Sequence, residues 1–392
     1  MSSLYAGLRV IDFTHVLAGP ACAYYLGLLG AEVIKVESPQ KGDAMRHRGG
    51  TDRERSAQGM STAYLTQAAG KASVTLDLET EDGRRAMRDL LASADVFVEN
   101  HRPQTAQALG LDEASTLALN PRLIHCAMTG YGRGGELENA PAYDVNIQAT
   151  SGIMSLTGTS ETGPLRTGAP IMDYSVALAA SFAISAALYE REQTDKGTFI
   201  DVSMLETAYT LMSSTITDYT ATGNAPKPRG NAANSRSPGA GSFACKQGVL
   251  SLGVNEEGQF RALAEGLGRS SWLADPRFME RSARRAHAAE LEADIIDALS
   301  TKTADEWEAE LMHRGVPVAK IRTLPESLDL PHTKARGFLH HDAETGVSVP
   351  GLPFRIGQPT AHHPSGTMPR LGVDTQNVLA SLPNSAAVSL KP

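Results

Sequence analysis

The chain has 392 residues, 41% of them hydrophobic and 20% charged, which fits an ordered globular protein and excludes a disordered or fibrous one. That length exceeds one comfortable hydrophobic core, so two domains are expected. The formal net charge of -8 disfavours nucleic acid and anionic membranes as partners, and the three cysteines, Cys22, Cys126 and Cys245, lack metal-ligand spacing and suit a reducing compartment.

Reading along the chain, the opening MSSLYAGLRVIDF has neither a basic n-region nor an unbroken apolar h-region, so no secretory signal is expected. Leu8–Thr14 reads as a strand, Pro20–Gly30 as a helix with proline near its first turn, and Glu32–Glu37 as a second strand. Short connections make this a βαβ unit with parallel strands and a right-handed crossover. Further strands are expected at Ala72–Leu76, Val96–Glu99 and Leu123–Met128, with helices at Glu81–Ser93 and Thr105–Leu109 between them. This alternation implies a doubly wound, Rossmann-like α/β layer. A long helix follows from about Asp173 to Arg191; its most apolar part, Val176–Tyr189, is too short to span a bilayer and suits a buried helix. Thr198–Ser203 reads as a strand.

Residues 223–241 are rich in Gly, Pro, Ala and Asn without periodicity and read as a linker. The expected division is a large domain of residues 1–222 with 330–392, and a small α+β domain of residues 242–329. Within the latter, Thr303-Ala-Asp-Glu306 matches a capping box for a helix ending before Gly315. From Leu330 the chain turns Pro/Gly/His-rich, with no strong helix expected until Thr375, and its final SLKP is not a peroxisomal address. A cytoplasmic location is the expectation.

Familiar site motifs are missing. Glu37 sits where a ribose-binding acid would be, yet the turn His15-Val-Leu-Ala-Gly-Pro20 holds one glycine where a dinucleotide fingerprint needs three. No Walker A, G-x-S-x-G, H-E-x-x-H or C-x-x-C pattern occurs. By itself, Asp173 in Gly168-Ala-Pro-Ile-Met-Asp-Tyr174 reads as a helix N-cap.

A series of segments in order changes the picture: Gly7–Pro39, GDAMR (Gly42–Arg46), GKASVTLDL (Gly70–Leu78), Ala94–Leu111, NPRLIHCAMTGYG (Asn120–Gly132), Ala142–Gly158, KGTFIDVSMLE (Lys196–Glu206) and RGVPVAKI (Arg314–Ile321). Together they resemble the class III CoA-transferases, the family of formyl-CoA transferase, carnitine CoA-transferase and related acyl-CoA racemases. The resemblance implies an interlocked homodimer using coenzyme A or acyl-CoA as co-substrate, without a tightly bound cofactor, and small carboxylic acids as partners. It implies Asp173 as catalytic nucleophile, forming first an aspartyl anhydride and then an aspartyl-CoA thioester. A carboxylate with a pKa near ~3.9 would be ionised and need no general base. His15, Val16 and Ala18 correspond to the turn along coenzyme A, with Lys71, Asn100, His101 and Arg102 as further contacts. Two positions commonly basic in the family hold Ser38 and Ala108.

For the acid substrate the resemblance points to Tyr143, Asp144, Gly239 and Gly241, while Arg46, Arg48 and Arg166 are candidates because a guanidinium grips a carboxylate in bidentate fashion. Asp144 is expected to act from behind the site. Ser237–Ser242 corresponds to a mobile glycine-rich loop, in a thinner version or as plain linker. Racemases of the family carry histidine where this chain has Tyr143, and tyrosine, with a pKa near ~10, is a poor base for an α-proton. Transfer is therefore the expected activity, with racemisation and non-catalytic CoA binding as alternatives.

Overall fold

The computed structural model describes residues 4–232, 237–357 and 362–382. The apolar runs form β1 (Arg9–Phe13), β2 (Glu32–Glu37), β3 (Ala72–Thr75), β4 (Val96–Glu99), β5 (Ile124–Thr129) and β6 (Thr198–Ser203), close to the bounds read from sequence. They make one 6-stranded sheet in the order β3-β2-β1-β4-β5-β6, every ladder parallel. Successive side chains leave a strand on opposite faces, so Val10 and Ile11 serve different cores. Val10, Val33, Val96, Ile124 and Cys126 pack with residues of the helix Ala18–Leu28 and the long helix Ile171–Thr194. Ile11, Ile34, Val74 and Phe97 pack with Met87, Leu90 and Leu91 of the helix Glu81–Ala92. Helices on both faces explain why the strands read as nearly continuous apolar runs.

The strand order fixes where a ligand can enter. Connections from β1 lead one way to β2 and β3, and the chain then crosses back to place β4 on the other side of β1. The loops after β1 and β4 therefore part, leaving a crevice at the carboxyl ends of these two strands.

The long helix extends beyond the expected Asp173–Arg191 at both ends. By length and composition it could cross a membrane, yet Met172, Val176, Ala177, Ala180 and Ile184 on one side belong to the core cluster of the sheet. Its other side is not buried, since Leu178, Phe182 and Tyr189 are exposed.

Contacts are densest within two units: Met1–Met154, Arg166–Ala225 and Pro331–Pro392 in one, Ser155–Leu165 and Pro226–Leu330 in the other. The second has its own antiparallel sheet, β7 (Ala240–Ala244), β8 (Val249–Gly253) and β9 (Val318–Lys320), with a core that includes Phe260, Leu263, Ile295 and Trp307. Its helix Ala304–His313 opens on the expected box: Glu306 N–H donates to the Thr303 hydroxyl at 3.3 Å, and Thr303 N–H to the Glu306 carboxylate at 2.8 Å. Beyond Leu330 the composition conceals a short helix, Pro331–Arg336, and a hairpin of β10 (Leu339–Asp342) and β11 (Val347–Pro350), ahead of the helix Thr375–Ala380. Residues 233–236 of the expected linker and the C-terminal SLKP lie outside the described residues.

Candidate active site

A cavity of about 310 Å³ occupies the crevice beside β1 and β4. His15, Val16 and Ala18 line it from the loop after β1, and Asn100, His101 and Arg102 from the loop after β4. Tyr143 and Asp173 complete the set of expected residues that it brings together.

The turn after β1 is tightly determined. A Cβ added at Gly19 would lie 2.4 Å from Thr14 Cβ, so the one glycine here allows helix and strand end to touch. Val16 has φ 71, the left-handed region that a β-branched residue rarely enters. His15 N–H donates to Asn100 Oδ1 at 3.0 Å and Asn100 Nδ2 returns a bond to the His15 carbonyl at 2.8 Å, joining the two loops. His101 stacks on Phe13 at 4.4 Å and meets His15 edge-on at 5.3 Å. Partial desolvation first, and then the neighbouring His101, lower the His15 pKa. Burial would raise Glu99, but the His101 N–H, donating at 2.6 Å, and the His101 and His125 imidazoles, 3.6 and 3.8 Å away, outweigh it and bring the carboxyl down to about 2.

Asp173 is not the N-cap. Pro170 holds that place, and Asp173 is the third residue of the helix. The capping acceptor comes from a distant residue. Asp144 Oδ2 accepts the N–H of Met172 at 2.6 Å and of Asp173 at 3.4 Å, while its Oδ1 accepts Gln148 Nε2 at 2.6 Å. Gln148 Oε1 accepts in turn from Thr167 N–H at 2.9 Å. The N–H groups at this helix end are thus engaged by a second carboxylate, which repels Asp173. Burial, and then the Asp144 charge, push Asp173 up to about 7, so the expectation of an unperturbed carboxylate is corrected. Among the described residues none donates a hydrogen bond to its carboxyl oxygens.

Several expected contacts lie elsewhere. Asp144 is buried behind the helix end and does not line the cavity, so its place among direct substrate contacts gives way to a capping role. Lys71 is buried too and does not line the cavity: its ammonium bonds Asp12 at 2.7 Å and the Pro20 carbonyl at 2.8 Å, out of reach of a phosphate there. Arg46 is 1% exposed, and its guanidinium grips Glu37 in bidentate fashion at 2.7 and 2.6 Å. That pair removes Arg46 as a carboxylate receptor and Glu37 as a ribose acceptor. Arg48 and Arg166 are exposed and do not line the cavity. In the second unit, Gly241 lies in a strand and Gly239 in the turn before it. Ala240–Ala244 is strand β7, Gly241 pairs with Leu252, and Gly239 accepts from Val254 N–H at 3.2 Å. A segment whose backbone groups are committed to a ladder loses those bonds if it swings.

Sequence reasoning missed Thr129 and Gly130 at the end of β5, Met204 at the end of β6, and Glu138. The strand-end rule that singled out Asn100 would have found the first three; Glu138 carries no local signal. Among the described residues no group of three or more His, Cys, Asp or Glu is placed to hold a metal ion.

The model of "CoA-transferase family III" matches residues 5–375, nearly the whole chain. The chain belongs to CoA-transferase family III. It is 34% identical to an acetyl-CoA:oxalate CoA-transferase of Acetobacter aceti, across 94% of this chain and 92% of that one. It is also 34% identical to a succinate–glutarate CoA-transferase of Agrobacterium fabrum, across 96% and 95%. Among solved structures, a CAIB/BAIF family protein from Brucella suis superposes with a TM-score of 0.85 at 33% identity, covering 97% of this chain and 99% of its own. This family III member is accordingly a CoA-transferase, with coenzyme A as co-substrate.

Proposed function

We propose that this CoA-transferase works through a covalent aspartyl relay at Asp173, moving coenzyme A from an acyl-CoA donor to a small carboxylic or dicarboxylic acid. The observation that carries the reading is a half-buried carboxylate without hydrogen-bond donors among the described residues, on the wall of the switch-point cavity. A poorly solvated carboxylate is a better nucleophile than a hydrated one once it loses its proton. Its oxygen attacks the thioester carbonyl, the C–S bond breaks, and CoA thiolate leaves with the electron pair. The thiolate attacks the aspartyl carbonyl of the mixed anhydride, releasing the first acid as its carboxylate and leaving an aspartyl-CoA thioester. The acceptor carboxylate attacks that thioester and expels the thiolate, which attacks the acceptor acyl carbon and restores Asp173. No proton is consumed, and no general base is needed once Asp173 is ionised.

Oxalate and glutarate in the relatives' names support small dicarboxylates as acceptors. His15, Val16, Ala18, Asn100, His101 and Arg102 are the proposed coenzyme A contacts, with Tyr143 toward the acid. In this reading the large domain, residues 1–222 with 330–392, carries coenzyme A, residues 223–241 link it to the small domain of residues 242–329, and the working form is an interlocked homodimer in the cytoplasm. The exposed Phe182 and Tyr189 of the long helix support a partner copy on that face.

Asp173→Ala is expected to abolish transfer from succinyl-CoA to glutarate or oxalate while CoA binding, followed by calorimetry, persists. Hydroxylamine added to wild-type protein with acyl-CoA should convert Asp173 alone to a hydroxamate, read by peptide mass spectrometry. Turnover surviving in Asp173→Ala would rule the relay out.

A further inference from the structure

Deep beneath the cavity wall lie two lysines and two aspartates that the relay does not use. Lys71 pairs with Asp12 at 2.7 Å, Lys35 pairs with Asp43 at 3.2 Å, and all four side chains are at most 2% exposed. Buried ion pairs are poor sources of stability, because desolvation cancels most of the attraction. Their other contacts converge on one short piece of backbone. Asp12 Oδ1 accepts the Thr14 N–H at 3.2 Å and the Thr14 hydroxyl at 2.5 Å. Lys35 Nζ donates to the Thr14 carbonyl at 2.8 Å, and Asp43 Oδ1 accepts the Val16 N–H at 3.2 Å. Lys71 Nζ donates to the Pro20 carbonyl at 2.8 Å, in the first turn of the helix that follows.

Val16 sits in the middle of this grip at φ 71. A non-glycine residue in that region stores strain and stays there only where its surroundings over-determine it. Here the surroundings are the ion pairs.

We propose that Asp12, Lys35, Asp43 and Lys71 are positioning residues, a buried charged clamp that holds the Thr14–Ala18 turn in its coenzyme A-receiving shape before the ligand arrives. A dinucleotide fold reaches its phosphate-binding turn with three glycines; this chain reaches its ligand turn with a strained valine and fixed charges. The benefit is affinity, because a turn already held in its bound shape loses little freedom on binding. The inference rests on the reading that the cavity takes coenzyme A.

Val16→Gly separates the clamp from ordinary structural support. Glycine is at ease at positive φ, so the variant should melt at or above the wild-type temperature, yet bind CoA on the order of tenfold more weakly because the turn is freed, whereas Val16→Ala, which trims the same side chain without freeing φ, should bind within about twofold of wild type. Wild-type affinity in Val16→Gly overturns the proposal, and so does a lowered melting temperature, which would mean the turn was not strained. Asp43→Asn keeps an acceptor oxygen but loses the charge. Its KM for acyl-CoA should rise while kcat changes less; a fall in kcat with KM unchanged counts against the clamp. Should Asp43→Asn not fold, Val16→Gly decides alone. Failure of wild-type protein itself to bind CoA would remove the reading of the cavity together with the clamp, a result readily told apart from failure in the variants.

Discussion

At Asp173 two carboxylates face one helix end, and only one can hold its charge there cheaply. Asp144 has the N–H groups of Met172 and Asp173 and the Gln148 amide as hydrogen-bond donors, whereas Asp173 has burial and a like charge, so its pKa rises to about 7. The sign of the consequence is definite. In the unfolded chain Asp173 loses its proton near ~3.9, whereas the folded site keeps it until about 7. Its contribution to stability is therefore full below the lower value and declines as pH rises through that window. Activity moves the other way, because the carboxylate is the proposed nucleophile. The profile of kcat/KM for the acyl-CoA donor should rise with pH and level off above about 7. Asp144→Asn retains an acceptor for the helix end but removes the repelling charge, so its rising limb should move to lower pH. An unmoved or upward-moved limb would contradict this account.

At the scale of elements, the two best-defined helix starts differ in where their caps come from. The helix Ala304–His313 is capped by its own neighbours, Thr303 and Glu306. Thr303→Ala should lower stability by ~1 kcal/mol, visible as a reduced melting temperature with the secondary-structure signal retained. Because that cap is local, its pattern of residues is readable in the chain. The start of the long helix was misread for the complementary reason. Asp173 has the right chemistry and roughly the right place for an N-cap, but the acceptor is Asp144, brought in by the fold, and the helix begins at Ile171. Lys71 and Arg46 were misread in the same way. Each looks like a free cation in the sequence, and each is paired with a carboxylate on a strand of the sheet, Asp12 of β1 or Glu37 of β2.

For the molecule as a whole, the parallel sheet accounts for the position of the site. A site at the carboxyl ends of β1 and β4 follows from the strand order, and the cavity is found there. The same architecture leaves one side of the long helix unburied, with Phe182 at 77% and Tyr189 at 73% exposure. If a second copy covers this face, Phe182→Glu should weaken self-association in sedimentation velocity and leave the far-UV spectrum unchanged. A variant that sediments as the wild type does would place the interface elsewhere.

The sequence by itself determined the alternation of strands and helices, the capping box at Thr303 and the kinship with CoA-transferases, because each is written in residues close together in the chain or in segments that recur in order. Tertiary structure decided which charges are spent and which are available. It engaged Lys71 and Arg46 with buried carboxylates, folded Gly241 into a strand and set Asp144 behind Asp173. The physical reason is that a charge's state depends on the water and the partners within a few ångströms, and only folding determines which those are.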